Sequence, residues 1–507
     1  MKLYDLLSSL ESFSCTMPRD VQIRGIASDS RRVGRGDLFV CIRGLHEDGH
    51  DYLPDVIAAG AAAVVTEEGR GEIPEGTVHI TVPDTRAALA RLCHAWYGYP
   101  GEHLRLIAVT GTNGKTSVSF MLRAIWEASL EPCGLIGTVV CDSGSRRLRS
   151  SQVETLANMT TPDPQDLYRL LAEMVEDGVR TVIMETTSHA LALGKLDALH
   201  FDAAIFTNLT PEHLDFHGSM ENYFEAKAKL FERCDLAILN GDDPWAVRLR
   251  ERLKCPVRIC SARGGTADYA AENIRDGGVD GISYRLHARD ARMRIACPIP
   301  GTFTVMNSLQ AATLALERGK SPACIHDALS TLNGVQGRME RVRLPLSAEF
   351  SVFIDYAHTP DALENLLRAA RGFCRPGQRL VVLFGCGGDR DRGKRPVMGA
   401  LATELADYAV ITSDNSREER VQDIIDDIVS GVRQTGQKNY TVIPDRREAI
   451  EYVLRHARAG DVILLAGKGH ETYEIDRTGR HPFDERVIVH QIAQSLFPIR
   501  PSDEQNI

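Results

Sequence analysis

Short apolar runs rich in β-branched residues alternate along most of the chain with segments whose apolar positions recur at helical spacing, a pattern that predicts α/β layers on largely parallel sheets. In the first hundred residues such runs fall at 37–42, 62–66 and 78–82, and Tyr99-Pro100-Gly101 reads as a linker. A second series, at 104–110, 179–184, 201–206 and 236–239, has polar residues beginning where each strand ends. A third, at 352–355, 380–384, 409–412 and 462–466, repeats the design without any fixed-period repeat. Ligands of open α/β sheets collect beyond the carboxyl ends of the strands, so those polar ends are where chemistry is expected.

A chain of 507 residues is too long for one core, and the blocks divide it into three predicted domains, 1–98, 99–340 and 341–507. With 43% hydrophobic and 25% charged residues and no low-complexity tract, the composition is globular. The formal charge of -10 argues against a non-specific nucleic-acid or anionic-membrane binder, so an anionic ligand requires a local basic site. Twelve cysteines lack a CxxC pair, and MKLYDLLSSLESFS lacks the apolar stretch of a signal peptide. No run reaches transmembrane length. These features predict a cytoplasmic protein with reduced thiols, no membrane insertion and no nucleic-acid partner.

Gly111-Thr112-Asn113-Gly114-Lys115-Thr116 follows a strand directly and precedes a helical run that opens at Ser117. Strand, loop and helix in that order suit a phosphate cradle: glycines expose amides, Lys115 reaches phosphates and the Thr116 hydroxyl suits magnesium. The spacing departs from the general phosphate loop, which would place a glycine at Val109. Glu185, at the end of the strand predicted at 179–184, is a carboxylate placed to meet a nucleotide-bound magnesium, or else a solvated strand end. His213 and His217 stand four residues apart, but Pro211, Gly218 and the absence of HExxH argue against a closed zinc site. Lys227 lies in an amphipathic pattern, Tyr223-Phe-Glu-Ala-Lys227-Ala-Lys229-Leu-Phe, where periodicity alone reads it as an exposed charge. In Thr412-Ser-Asp-Asn-Ser-Arg-Glu-Glu-Arg420, Ser416 and Glu419 are spaced as a capping box, so Arg417 is either a ligand reader or part of a helix start.

Taken in order, these segments resemble the Mur ligases, ATP-dependent enzymes that add amino acids to the peptidoglycan precursor. The resemblance covers nearly the whole chain. Its marks are Asp29-Ser-Arg31, Gly36-Asp-Leu-Phe-Val40, the short phosphate loop, Thr160-Thr-Pro-Asp-Pro164, Glu185-Thr-Thr-Ser-His189 and Thr207-Asn-Leu-Thr-Pro-Glu-His213. Further marks are Gly337-Arg-Met-Glu340, Asp355-Tyr-Ala-His358, Gly387-Gly-Asp-Arg390, Asp414-Asn-Ser-Arg417 and Gly467-Lys-Gly-His-Glu471. It implies an α/β fold of three domains: a central P-loop mononucleotide-binding domain, a Rossmann-like C-terminal domain and a smaller α/β N-terminal domain.

Carried over position by position, the resemblance makes residues 111–117 an ATP site with Asn307, Arg338 and Asp355, and gives His358 a nucleotide-side role. It implies magnesium at Thr116, Glu185, His213 and Lys227, the last carbamylated by carbon dioxide. An ammonium beside magnesium would be repelled, whereas its carbamate supplies anionic oxygens. Ser30, Thr160, Thr161, Thr187 and Lys195 are implied for the UDP-sugar peptide. Arg390, Asp414, Asn415, Ser416, Arg417, Gly467 and Glu471 are implied for the incoming amino acid. Four positions depart from the common family residue: Thr304 for asparagine, Thr187 for serine, Lys195 for arginine and Ser416 for proline.

The implied reaction joins meso-2,6-diaminopimelate to UDP-N-acetylmuramoyl-L-alanyl-D-glutamate through an acyl phosphate, with the third domain closing over the second to exclude water. Diaminopimelate differs from lysine by a distal carboxylate, which Arg417 suits. A monomer acting on small molecules is expected. Lysine as the amino acid, a ligase like folylpolyglutamate synthetase and a nucleotide switch that forms no amide are the alternatives at this point.

Overall fold

A computed structural model of the protein describes residues 1–16, 21–44, 47–67, 73–74, 77–144, 159–290, 292–332 and 334–497. The chain forms two compact units, Met1–Ala270 with Leu309–Ile325, and Ala271–Ser308 with His326–Ile507.

In the first unit a sheet runs in the order Val257–Ser261, Ala237–Asn240, Ala203–Phe206, Arg105–Thr110, Thr181–Glu185, Cys133–Ile136, Cys141–Asp142. All pairs are parallel except the last. The middle strands are buried almost throughout, as expected where helices cover both faces. Val109 pairs with Glu185 and Thr110 with Phe206, so the phosphate loop and Glu185 leave the sheet side by side. A smaller sheet, ordered Ser14–Thr16, Val78–Val82, Ala63–Glu67, Leu38–Val40, Ile26–Ala27, shares the apolar core of this unit. The predicted strands appear with ends shifted by at most a few residues. Cys133–Ile136 went unpredicted, a four-residue strand holding a glycine and no alternation.

In the second unit six strands run in the order Glu340–Val342, Ser351–Asp355, Val462–Ala466, Leu380–Phe384, Tyr408–Ile411, Tyr440–Val442. Only the first pair is antiparallel. One face is covered by Pro360–Phe373, Lys394–Leu405 and Val421–Thr435, the other by Arg446–Arg455 and Glu485–Leu496. Val462–Ala466, the last of these strands in the chain, inserts between the first two predicted ones and aligns Ala466 with Asp355. The exits after Asp355, Phe384, Ile411 and Ala466 therefore meet at one end of the sheet.

Two hairpins of this unit escaped the sequence pattern: Ile282–Ala288 with Arg292–Cys297, and Tyr473–Asp476 with Gly479–Pro482. The capping box is also corrected. The helix begins only at Val421, its N-cap Arg420 makes no side-chain cap bond, and Glu419 is drawn away to Arg395 and the Asp389 amide.

Candidate functional site

Residues 111–114 turn sharply between strand and helix, with Gly111 at φ 147° and Gly114 at φ 89°, a region that favours glycine. A Cβ on Gly111 would lie 1.9 Å from Thr207 Oγ1, so the loop tolerates no side chain there. The segment Thr207-Asn208 braces it: Asn208 Oδ1 accepts the Asn113 amide at 2.9 Å, and Thr207 Oγ1 donates to the Asn113 carbonyl at 2.6 Å. Thr112 Oγ1 accepts from the Thr210 amide at 3.0 Å. Gly114 caps the helix Lys115–Ala128 without any side-chain bond, which leaves the first-turn amides turned toward the loop, the arrangement that attracts phosphate.

Lys115 Nζ folds back onto the carbonyls of Gly111 and Thr112, at 3.0 and 2.7 Å. Lys227, read from periodicity as an exposed charge, is instead 1% exposed. Its helix Met220–Ala228 also buries Tyr223, Phe224, Ala226 and Ala228, and its Nζ donates to the Gly111 carbonyl at 2.9 Å. Burial, then the nearby Lys115 charge, pushes the Lys227 ammonium well below the ordinary lysine range.

Thr116 Oγ1 donates to Glu185 Oε2 at 2.9 Å. Thr138 supplies its amide and hydroxyl to the same carboxylate, both at 3.2 Å, and its hydroxyl meets that of Thr160 at 2.9 Å. Gly137 lets this happen, since a Cβ there would sit 2.3 Å from Glu185 Oε1. Burial raises the Glu185 carboxyl pKa, while Lys115 and the threonine hydrogen bonds oppose the rise. A buried carboxylate ringed by hydroxyls is a set of hard oxygen donors, which fits magnesium. His213, at φ 55°, is about half exposed and lies edge-on to His189, ring centroids 4.8 Å apart. His217 is tied to Ser188 Oγ at 2.9 Å, and burial together with its histidine neighbours lowers its pKa to about 4.

The five residues expected to meet the UDP-sugar peptide fall in two places. Ser30 and Lys195 line a cavity of about 460 Å³ with Asp163 and Gln165, where Lys195 pairs with Asp163 at 2.7 Å and Gln165 reaches Ser28 at 2.6 Å. Thr160, Thr161 and Thr187 gather instead behind Glu185: Thr161 Oγ1 donates to the Glu185 carbonyl at 2.9 Å and accepts the Thr187 amide at 3.1 Å.

In the second unit, Asp355 accepts the amides of Met339 and Ala357 at 2.8 and 2.9 Å, which shapes the turn bearing Arg338. Arg338 lies 5.5 Å over the Tyr356 ring, and His358 Nδ1 donates to the Tyr356 carbonyl at 2.8 Å, leaving Nε2 as an acceptor. Asn307 is buried on the helix Phe303–Glu317.

The residues expected at the amino-acid end come together, with Arg390 exposed at the rim. Arg417, at φ 50°, donates to the Gly388 carbonyl at 2.8 Å. Asn415 Nδ2 donates to Glu471 Oε2 at 2.8 Å. Burial and the nearby Asp414 charge raise the Glu471 pKa. Gly467, at φ 116°, presses so close to Asp414 that a Cβ would lie 2.7 Å from Oδ2. Ser416 is buried, its carbonyl receiving the Glu419 amide at 3.1 Å.

Three supports had no sequence signal, because nothing in a lone cation tells which carbonyls it will meet. Arg446 donates to the carbonyls of Ser413 and Ala466, at 3.0 and 2.9 Å, with Glu485 at 2.8 Å. Arg395 holds Glu419 and the Gly387 carbonyl, and Lys468 is buried beside Asn415.

A UDP-N-acetylmuramoyl-L-alanyl-D-glutamate--2,6-diaminopimelate ligase of Syntrophomonas wolfei is 40% identical over 499 residues, 97% of this chain and 99% of its own length. The chain belongs to the Mur ligase family. The profile of the Mur ligase family catalytic domain matches residues 22–97, that of the Mur ligase middle domain 109–315, and that of the Mur ligase glutamate ligase domain 337–469. A second ligase of the same name, from Caldanaerobacter subterraneus subsp. tengcongensis, is 42% identical over 496 residues, covering 97% of this Mur ligase and 99% of the relative. A solved structure bearing that name aligns with a TM-score of 0.66 and 31% identity over 94% of this chain and 95% of that one. A folylpolyglutamate synthase of Mycobacterium tuberculosis, 18% identical with a TM-score of 0.57, shares the fold alone, over 83% of this chain and 96% of its own. Among the described residues, no helix is long and apolar enough to cross a membrane.

Proposed function

We propose that this Mur ligase couples ATP cleavage to an amide bond between the D-glutamyl carboxylate of UDP-N-acetylmuramoyl-L-alanyl-D-glutamate and one amine of meso-2,6-diaminopimelate, in the cytoplasm. The observation that carries the choice of amino acid is the pairing of opposite charges in one site: Arg417 beside the Gly388 carbonyl, and Glu471 held by Asn415. A distal carboxylate and a distal ammonium on one substrate carbon call for that pair, and lysine satisfies half of it.

The chain's own residues divide the work. The amides opened by Gly111 and Gly114, with Lys115, bind and orient the ATP phosphates; Asn307 and His358 lie on the nucleotide side. Thr116, Glu185, His213 and Lys227 hold magnesium, and Arg338 takes a nucleotide phosphate. Magnesium, when bound, offsets the repulsion between two anions that must react. Lys227, whose ammonium form is disfavoured by burial, can take up carbon dioxide as a carbamate. Ser30 and Lys195 orient the UDP-sugar, and Thr160, Thr161 and Thr187 the peptide end. Phosphoryl transfer to the glutamyl carboxylate makes the acyl phosphate, which the amine attacks with loss of phosphate. The proposed domains 1–98, 99–340 and 341–507 each contribute residues to these tasks.

The test is phosphate release by the purified protein with ATP, magnesium and the UDP-dipeptide, offered diaminopimelate or lysine separately. Release that needs both the dipeptide and diaminopimelate supports the reading. Release without an amine, or equal use of lysine, overturns it.

A further inference from the structure

Lys468 is fully buried, so its ammonium cannot touch a substrate. Its Nζ meets Asn415 Oδ1 at 3.1 Å, the Tyr473 carbonyl at 3.0 Å and Asp414 Oδ1 at 3.5 Å. A lysine ammonium only donates, so the Asn415 amide must turn its oxygen toward it. The Ile475 amide donates to that same oxygen at 3.0 Å. The NH2 end is then forced to the other side, where it donates to Glu471 Oε2 at 2.8 Å.

The charges agree with the hydrogen bonds. The Asp414 carboxylate lies close enough to Glu471 to disfavour its ionisation. Burial would push Asp414 up, yet Lys468 and then Arg446 hold its pKa below the usual carboxylate range. Arg446 is matched by Glu485, and Arg417 and Tyr356 are the other titratable groups facing Glu471.

We propose that Lys468 is the positioning residue of the amino-acid site: it aims the Asn415 amide at Glu471 and offsets Asp414, so that one net negative charge meets the substrate ammonium. This rests on the reading above that the site takes a diamino acid. Without Lys468, Asp414 and Glu471 lose a cation that favours their ionisation, so the Glu471 carboxylate that should take the ammonium is more readily protonated.

The experiment compares wild type, Lys468→Met and the charge-balanced Lys468→Met/Asp414→Asn in the phosphate-release assay, with thermal melting to confirm folding. Lys468→Met is expected to raise the KM for diaminopimelate about tenfold while those for ATP and the UDP-dipeptide stay within about twofold. Its KM relative to wild type should fall as pH rises and the Glu471 carboxyl gives up its proton. The double variant should lose that pH dependence yet keep a KM raised about threefold, because only the Ile475 amide still orients Asn415. If Lys468→Met does not fold, the double variant alone decides. An unchanged diaminopimelate KM in whichever variant folds, or an equal loss for all three substrates, overturns the proposal. Wild-type protein inactive with diaminopimelate would instead overturn the parent reading.

Discussion

Lys115 and Lys227 share one acceptor, the carbonyl oxygen of Gly111, at 3.0 and 2.9 Å. Two ammonium groups on one oxygen repel, and burial followed by the Lys115 charge makes Lys227 the one whose charged form is disfavoured. Lys227→Met keeps all but the last atom of the side chain's length and removes the amine. Turnover is expected to fall by about a hundredfold or more. Native protein in carbon-13 bicarbonate should show a carbamate resonance that the variant lacks; a wild-type spectrum without it removes the carbamate from the mechanism.

Glu185→Gln keeps an oxygen for the Thr116 and Thr138 hydroxyls but discards the negative charge. The fold should survive with little change in melting temperature. Magnesium titrations should shift to higher concentration, and saturated turnover should drop by about a hundredfold. A variant with the wild-type magnesium curve would mean that Glu185 meets no cation.

Arg417→Ala removes the guanidinium that stands beside the Gly388 carbonyl. The expected result is a KM for diaminopimelate raised by about a hundredfold, a loss of about 3 kcal/mol, the upper range for hydrogen bonds to charged groups. Any weak use of lysine should be spared. Arg417→Lys should recover only part of the loss, since an ammonium cannot offer two parallel donors. Equal effects on both amino acids would show that position 417 does not read the distal carboxylate.

Gly467→Ala meets two obstacles at once, a φ of 116° and Asp414 Oδ2 at 2.7 Å from the new Cβ. A left-handed backbone imposed on alanine costs about 1–3 kcal/mol. Melting should fall by several degrees and diaminopimelate affinity should suffer more than ATP affinity, because the Asp414 carboxylate is the group displaced. A variant with wild-type melting would show that the loop relaxes freely.

Glu419 receives Arg395 at 2.7 and 2.9 Å and the Asp389 amide, and these hold its pKa down at about 2. A carboxylate depressed in the folded state stabilises it above the unfolded value of about 4.3, and that contribution fades as pH falls toward 2. Glu419→Gln should therefore melt well below wild type at neutral pH, and the gap should close between about pH 4 and pH 2. A gap that stays constant into acid would mean that the ion pair contributes nothing.

Much of this could be read from residue order. Each strand that was expected at a polar exit exists, and Val109 opposite Glu185 places the two motifs where strand-end reasoning put them. Failures came where one residue's partner lies far along the chain. Lys227 looked exposed because helical periodicity sees one face, whereas the carbonyl that receives it is 116 residues away. Glu419 fitted a capping box until Arg395 and the Asp389 amide outbid Ser416 for its oxygens.

The amino-acid order by itself determined the alternation of strands and helices, the phosphate loop with its obligatory glycines, and the family, because these rest on local spacing and on residue types that tolerate few substitutes. Only the tertiary structure decided that Val462–Ala466 inserts between two earlier strands and carries Lys468 against Asn415, or that two lysines meet one carbonyl. Burial and hydrogen bonding are properties of the whole packed chain, and a cation's partner, protonation and role are settled by what is folded against it.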